Sequence, residues 1–297
     1  MSSASRIGLI VALAAVIAAP VAWLAHKHDE PRPVTHLVVP AETVRLIDPD
    51  PQQLRVCADP NNVPFSNARG EGFENAIAAV VAHDLGKTLS YFWLPQRRGF
   101  VRNSLNAGVC DVIMGVPAGY DLVRTTRAYY RSSYVFVSPA GQRPIRTFDD
   151  PALRTLTVGI PITGDDYENP PPAMALAARH LMANVRGYPV YGDYSQPAPQ
   201  RVVIDDVGAG RIDVAVVWGP IGGYFARRSR TPLRVTPVSP QRDADAGPFT
   251  FAIAMGVRRS DTELAQALDQ VLQRRRTEIA SILRQFGVPL VETGAGS

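Results

Sequence analysis

Leu54-Arg55-Val56-Cys57-Ala58-Asp59-Pro60-Asn61-Asn62-Val63-Pro64-Phe65-Ser66-Asn67, followed at once by Gly70-Glu71-Gly72-Phe73-Glu74, is the stretch whose reading decides the fold. Leu54 to Ala58 reads as a short buried strand. Asp59, Pro60, Asn61, Asn62 and Pro64 stop it, because proline lacks the N–H a ladder needs and Asn and Asp hydrogen-bond their own backbone in turns. From Gly72 the spacing changes to a helical one, with Phe73, Ile77, Val80, Val81 and Leu85 on one face and Gly86 as the stop. A polar loop at the carboxyl end of a strand is where open α/β sheets bind ligands. An ordinary strand-to-helix turn has the same signature.

Outward from this unit the alternation continues. Residues 89–94 read as a second strand, 98–107 as a short helix stopped by Gly108, and 110–116 as a third strand, which makes a parallel βαβαβ unit. A second set follows: a strand at 157–160, a helix at 172–183, a strand at 188–191, a helix at 200–209 and an apolar strand at 213–218. Residues 233–238 and 249–257 are further strands, and 261–286 is a long amphipathic helix or helix pair capped by Asp261. Each set closes on a strand followed by Gly and Pro, Gly115-Val116-Pro117 in one and Trp218-Gly219-Pro220 in the other. Two glycine-lined loops facing a common cleft account for the repetition, since glycine lets backbone N–H groups approach a ligand. The same signal also simply ends a strand.

The 297 residues suffice for one large or two medium domains. The net charge of +4 rests on arginine, with Lys27 and Lys87 the only lysines, and basic residues scattered in pairs do not favour nucleic acid. Residues 1–25, with Arg6 ahead of an uncharged run from Ile7 to Ala25, read as a signal peptide or N-terminal anchor. We favour a cleaved signal and a periplasmic protein, which touches the membrane through this segment only if it is uncleaved. Five prolines mark residues 26–51 as a flexible arm, and the short polar, glycine-containing end at 292–297 reads as a disordered tail. Of the five histidines, His26, His28 and His36 lie in the leader or arm, and His83 and His180 have no metal-ligand spacing. With no nucleophile elbow and no phosphate loop, the chain reads as a non-enzyme without metal or cofactor. Cys57 and Cys110 face an oxidising compartment, yet parallel register sets them roughly 10 Å apart, beyond the ~7 Å bridging limit. Their pairing stays open.

The phrases Cys57-Ala58-Asp59-Pro60-Asn61-Asn62, Gly70-Glu71-Gly72-Phe73-Glu74-Asn75, Pro95-Gln96-Arg97-Arg98-Gly99-Phe100-Val101-Arg102, Cys110-Asp111-Val112-Ile113-Met114-Gly115-Val116-Pro117 and Val214-Ala215-Val216-Val217-Trp218-Gly219-Pro220 resemble the MoxJ/XoxJ group. These are quinoprotein dehydrogenase-associated proteins within the type II periplasmic solute-binding proteins, solute-binding protein family 3. The resemblance implies a two-lobed α/β fold, with two mixed, mainly parallel sheets flanked by helices around a central cleft. It places lobe 1 in residues 52–139 plus 245–291 and lobe 2 in 140–244. It also implies association with a PQQ-dependent methanol or alcohol dehydrogenase, in its maturation or activation. The alternative on the same cleft is the substrate-binding component of an ABC importer for a small solute. An enzyme on this scaffold, such as a dehydratase, ranks third for want of an acid/base pair.

The cleft this implies is lined by Asp59, Asn61, Asn62 and Phe65 after strand one, Gly115, Pro117 and Tyr120 after strand three, Thr163, Asp165 and Asp166 in lobe 2, and Trp218 and Gly219. Where amino-acid binders of this fold cradle an anion, Asp165 and Asp166 would repel it by on the order of 1–4 kcal/mol. A free amino acid is therefore not the expected ligand. The two carboxylates suit a basic partner surface, a cation or plain solvent. Gln96, Arg97 and Arg98 offer forks for a carboxylate-rich ligand or an acidic patch on the dehydrogenase, or for exposed salt bridges. Trp218, Tyr120, Tyr129, Tyr130 and Tyr224 supply flat walls for a planar quinone cofactor or a peptide segment, or belong to the core.

Overall fold

Strand segments of β-branched and aromatic residues alternate with apolar-faced helices, and in a computed structural model describing residues 50–162, 169–189 and 193–291 they assemble into one mixed sheet flanked by helices. The strands are β1 (Gln53–Ala58), β2 (Thr88–Trp93), β3 (Val112–Pro117), β4 (Tyr130–Pro139), β5 (Val158–Ile162), β6 (Val185–Pro189), β7 (Val214–Trp218), β8 (Leu233–Pro237) and β9 (Thr250–Val257). The helices are α1 (Phe73–Asp84), α2 (Phe100–Asn103), α3 (Pro171–Ala178), α4 (Val202–Gly208), α5 (Gly219–Ala226), α6 (Thr262–Arg274) and α7 (Arg276–Gln285). The main path runs β2-β1-β3-β9-β4-β7-β5-β6, with β8 against β4.

In each set the first strand lies in the middle, parallel to both neighbours: β1 between β2 and β3, and β5 between β7 and β6. The expected pair of mainly parallel sheets is modified at the centre. β4 is ten residues long. Its first part, Tyr130–Ser133, pairs antiparallel with β9, and its second, from Tyr134 on, with β7 and β8. A strand of that length can serve two cores at once, so the parallel trios join through antiparallel β4 and β9.

Period-two alternation explains why β7 reads as an unbroken apolar run. Val214 and Val216 enter a cluster with Phe136, Phe148, Ile160, Leu176 and Phe249. Ala215 and Val217 enter another with Val135, Val137, Val203, Ile204 and Phe225. A strand covered on both faces has no polar side to show. Elsewhere α1, α6 and α7 close over β1, β3 and β9 through Phe73, Ile77, Val81, Leu268, Leu272, Ile279 and Leu283.

Several boundaries differ from expectation. The helix expected over 98–107 shrinks to the single turn of α2, and the one expected over 172–183 ends at Ala178, two residues before His180 takes a positive φ of 57°. The strand expected at 188–191 is β6, three residues earlier, with Val190 and Tyr191 outside the described residues. Asp261 occupies the position before α6 without a side-chain cap bond, and pairs with Arg258 at 2.8 Å. Gly219 and Pro220, expected to line a loop, instead open α5, because a proline in the first turn gives up no hydrogen bond.

The glycines of α5 serve packing. A Cβ on Gly223 would stand 2.0 Å from the Gly287 carbonyl oxygen, a backbone atom that cannot swing away. Gly223→Ala is therefore expected to cost about 1–3 kcal/mol, read as a lower urea midpoint at unchanged slope.

Cys57 and Cys110 form a disulfide with a Cα separation of 5.4 Å. The register expectation is met as far as it goes, since Cys57 stands opposite Ile113. But β3 starts only at Val112, so strand spacing does not govern Cys110. The preceding turn, with Gly108 at φ 73°, folds Cys110 back. It is held there by the Asp111 N–H to the Arg55 carbonyl (2.7 Å) and by Arg258 donating to the Cys110 carbonyl. Among the described residues no helix is long and apolar enough to cross a membrane. The signal or anchor at 1–25, the arm up to residue 49 and the tail at 292–297 lie outside the described residues.

Candidate functional site

The loop after β1 folds into a small hairpin in which Asn61 pairs with Asn67 and Asn62 with Ser66. Its side chains then reach across the molecule. Asp59, buried, accepts from the N–H of Asn61 at 2.8 Å, from the N–H of Gln96 at 2.6 Å and from the Tyr194 hydroxyl. Asn61 donates to the Gln196 carbonyl at 2.9 Å and accepts from the Ala198 N–H at 3.1 Å. Asn62 donates to Gln96 Oε1 at 3.2 Å and accepts from Gln200 Nε2. Arg97 lies over the Tyr194 ring, 4.9 Å from its centroid. The loop is thus a clasp on the segment 194–200 that leads into α4, and its polar groups are engaged within the chain.

The same loop seats helix α1. The N–H groups of Phe73 and Glu74 donate to the carbonyls of Pro64 (2.8 Å) and Phe65 (2.9 Å), and those of Asn67 and Gly72 to Asn75 Oδ1. The donors exposed at a helix start are met internally, which leaves the Glu74 side chain to face a cavity of about 160 Å³. Asn62, Phe65, Gln96, Gly115, Pro117, Tyr130 and Trp218 line that cavity with Glu74, Val116 and Ile253.

Gly115 has a different use from the one expected. A Cβ there would lie 2.2 Å from Glu74 Oε1, so the glycine makes room for the carboxyl group. Burial, and then the nearby Asp59 carboxylate, push Glu74 up from 4.5 to about 8. A rise of that size corresponds to roughly 5 kcal/mol, whereas the helix N-terminus favours an acid by only about 0.3–1 kcal/mol. Burial wins. Burial likewise raises Tyr129 and Tyr130 well above the ordinary tyrosine range, with Glu74 adding to it. Tyr129 donates to the Met114 carbonyl at 2.8 Å.

A second cavity, about 340 Å³, is walled by Tyr134, Ile160, Tyr188, Val216, Trp218 and Ile221, with Pro161, Pro170, Pro172, Pro189 and Pro199 at its edges. Trp218, at the end of β7, borders both cavities. Thr163, Asp165 and Asp166 lie outside the described residues.

Other expected site residues sit elsewhere. Arg98 is exposed and lines neither cavity. Tyr120 packs on the cluster around the disulfide, with Leu105, Ile113 and Val123. Gly219 is buried in the first turn of α5, where a Cβ would meet the Ser133 carbonyl at 2.5 Å. Tyr224, farther along α5, stacks on Phe286 at 5.7 Å and lies under Arg228 at 3.6 Å. Both depart from the cleft because the chain coils into a helix at Gly219 and does not continue along the rim.

Glu74, Tyr194 and Gln200 were not among the expected site residues. Glu74 had a local signal, an acid placed right after the buried Phe73 in the first turn of α1. Tyr194 and Gln200 meet the β1 loop across 135 and 138 residues of sequence, and nothing local marks them. Chemically the arrangement binds and orients. Among the described residues no cluster of His, Cys, Asp and Glu is placed to hold a metal ion.

No family model matches the chain. It is 33% identical over 297 residues to protein MoxJ of Methylorubrum extorquens, covering 95% of this chain and 94% of that protein. With protein MoxJ of Paracoccus denitrificans it shares 32% over 258 residues, 82% of this chain and 90% of that protein. The crystal structure of periplasmic binding protein XoxJ from Methylobacterium extorquens AM1 superposes with TM-score 0.66 at 36% identity, over 80% of this chain and 99% of that one. MxaJ from Methlophaga aminisulfidivorans gives TM-score 0.68 at 27% identity, over 80% and 100%. An ancestral cationic amino-acid solute-binding protein, at 17% identity and TM-score 0.61 over 80% and 96%, shares the fold.

Proposed function

Because the chain belongs to the MoxJ family, we propose that it is a periplasmic binding-protein-like accessory factor that associates with a PQQ-dependent methanol or alcohol dehydrogenase and serves its maturation or activation. The observation that carries this reading is the clasp. Asp59, Asn61 and Asn62, which in a solute receptor of this fold would face an open cleft, are bonded to residues 194–200. No Arg or Lys is among the described residues that line either cavity, so a ligand carboxylate has no counter-charge there. The lobes are read as 52–139 with 245–291, and 140–244, and the chain as exported with its signal removed. The exposed stretch Gln96-Arg97-Arg98 is the part of the site that meets an acidic patch on the dehydrogenase. The protein positions its partner and carries out no bond-making step of its own.

Copurification with a tagged periplasmic quinoprotein dehydrogenase tests this. Retention of the holo or the apo dehydrogenase is expected, and weaker retention by the double variant Arg97→Glu, Arg98→Glu. Failure with both forms overturns it. The larger apolar cavity favours a second reading, an importer's receptor for a small solute. A ligand at 100 times its dissociation constant adds about 2.7 kcal/mol, so a thermal-shift screen over amino acids, sugars and organic acids separates the two.

A further inference from the structure

We propose that the smaller cavity is a binding site for a small organic cation that carries no carboxylate, of the alkylammonium class. Among the described residues it holds one carboxyl group, Glu74, facing walls of Phe65, Tyr130 and Trp218. Among the described residues no hydrogen bond or ion pair reaches that carboxyl group, whereas the adjacent Asp59 is saturated by Asn61, Gln96 and Tyr194. A half-buried carboxylate facing such walls without a partner is costly, and a cation is the group that relieves it. Aromatic faces attract a cation once it is desolvated, so walls and carboxyl group select the same chemistry. A volume of about 160 Å³ holds on the order of five waters at about 30 Å³ each, which limits the occupant to a few carbons. Exposed Gln96 and Pro117 at the edge leave it open to solvent.

The site is a proton-for-cation exchanger. The titratable groups that feel Glu74 are Asp59 from the β1 loop, Tyr91 from β2, and Tyr129 and Tyr130 at the start of β4, and none of them carries a positive charge. Below about pH 8 Glu74 holds a proton in the empty site, and the arriving ammonium group releases it to solvent. This inference stands independently of the dehydrogenase partnership, since either can fail while the other holds.

The test is calorimetry on the full exported chain with n-propylammonium, using 1-propanol and propionate as neutral and anionic controls of the same size. Saturable binding of the amine alone is expected at pH 9. Its affinity should fall about tenfold at pH 7, where the heat should also depend on the ionisation enthalpy of the buffer. Glu74→Gln should lose at least tenfold in affinity at pH 9 while its melting temperature does not fall. No saturable heat at pH 9, equal binding of propanol, a pH-independent affinity or undiminished binding by Glu74→Gln would each overturn the proposal.

Discussion

Replacing Cys57 and Cys110 together by alanine is expected to lower stability by about 4 kcal/mol. The bond closes a loop of 53 residues, and in the chain-entropy account a loop of that length limits the unfolded ensemble by roughly 4 kcal/mol. That is a large share of a total that in single domains is about 5–15 kcal/mol. The loop takes in the end of β1, the polar loop after it, α1, β2 and α2, so the clasp residues Asp59, Asn61 and Asn62 and Glu74 are built on it. Both sulfurs are buried, with residue exposures of 2% and 0%, and alanine in their place leaves only a small void. Urea unfolding of the double variant, and of the native chain with reductant, should show the same loss. A loss under about 1 kcal/mol would contradict the chain-entropy account and mean that the unfolded chain stays compact here without the bond.

Glu74→Gln is expected to change how stability depends on pH. With a folded-state pKa of about 8 and an ordinary value of 4.5, Glu74 keeps its proton in the folded protein over a range where the unfolded chain has lost it. The folded state binds more protons there, so stability falls as pH rises from about 4.5 and levels off above about 8. Integrated over that range the loss approaches about 5 kcal/mol. The glutamine variant, which has the same shape and no charge, lacks this slope and should be the more stable protein at pH 9. Urea midpoints at pH 5, 7 and 9 decide it; parallel slopes for variant and native protein would remove Glu74 as the cause. On the acid side Asp111 works in the opposite direction. Burial raises its carboxyl, but hydrogen bonds from Arg55 and Arg258 outweigh that and hold it below the ordinary range. Its contribution is present above the unfolded value and is lost as pH falls.

Much of the fold was legible because strands and helices announce themselves locally. Leu54 to Ala58, the apolar spacing of Phe73, Ile77 and Val81, and the run Val214 to Trp218 each carry their own period and stop signals. The errors fall where two local signals compete. Gly219-Pro220 ends a strand and also begins a helix, and Pro220 is compatible with both. Cys110 was counted as the first residue of β3, although the strand starts two residues later. Within the candidate site, Phe65, Gly115, Pro117, Tyr130 and Trp218 were legible as strand-end residues, and the structure brings them to one cavity.

By itself the sequence determined the β–α alternation, the polar loop after β1, the doubled Gly-Pro ends and the family phrases, because these are set by spacing and residue type over short stretches. Only the tertiary structure decided what the loop does. Asp59 and Asn61 clasp residues 194–198 through hydrogen bonds spanning about 135 residues of chain. Only packing could show that Gly115 makes room for Glu74 and that burial keeps this acid protonated. A carboxyl group's proton affinity depends on what surrounds it in space, and one residue type at one sequence position can be a solvated charge or a buried acid.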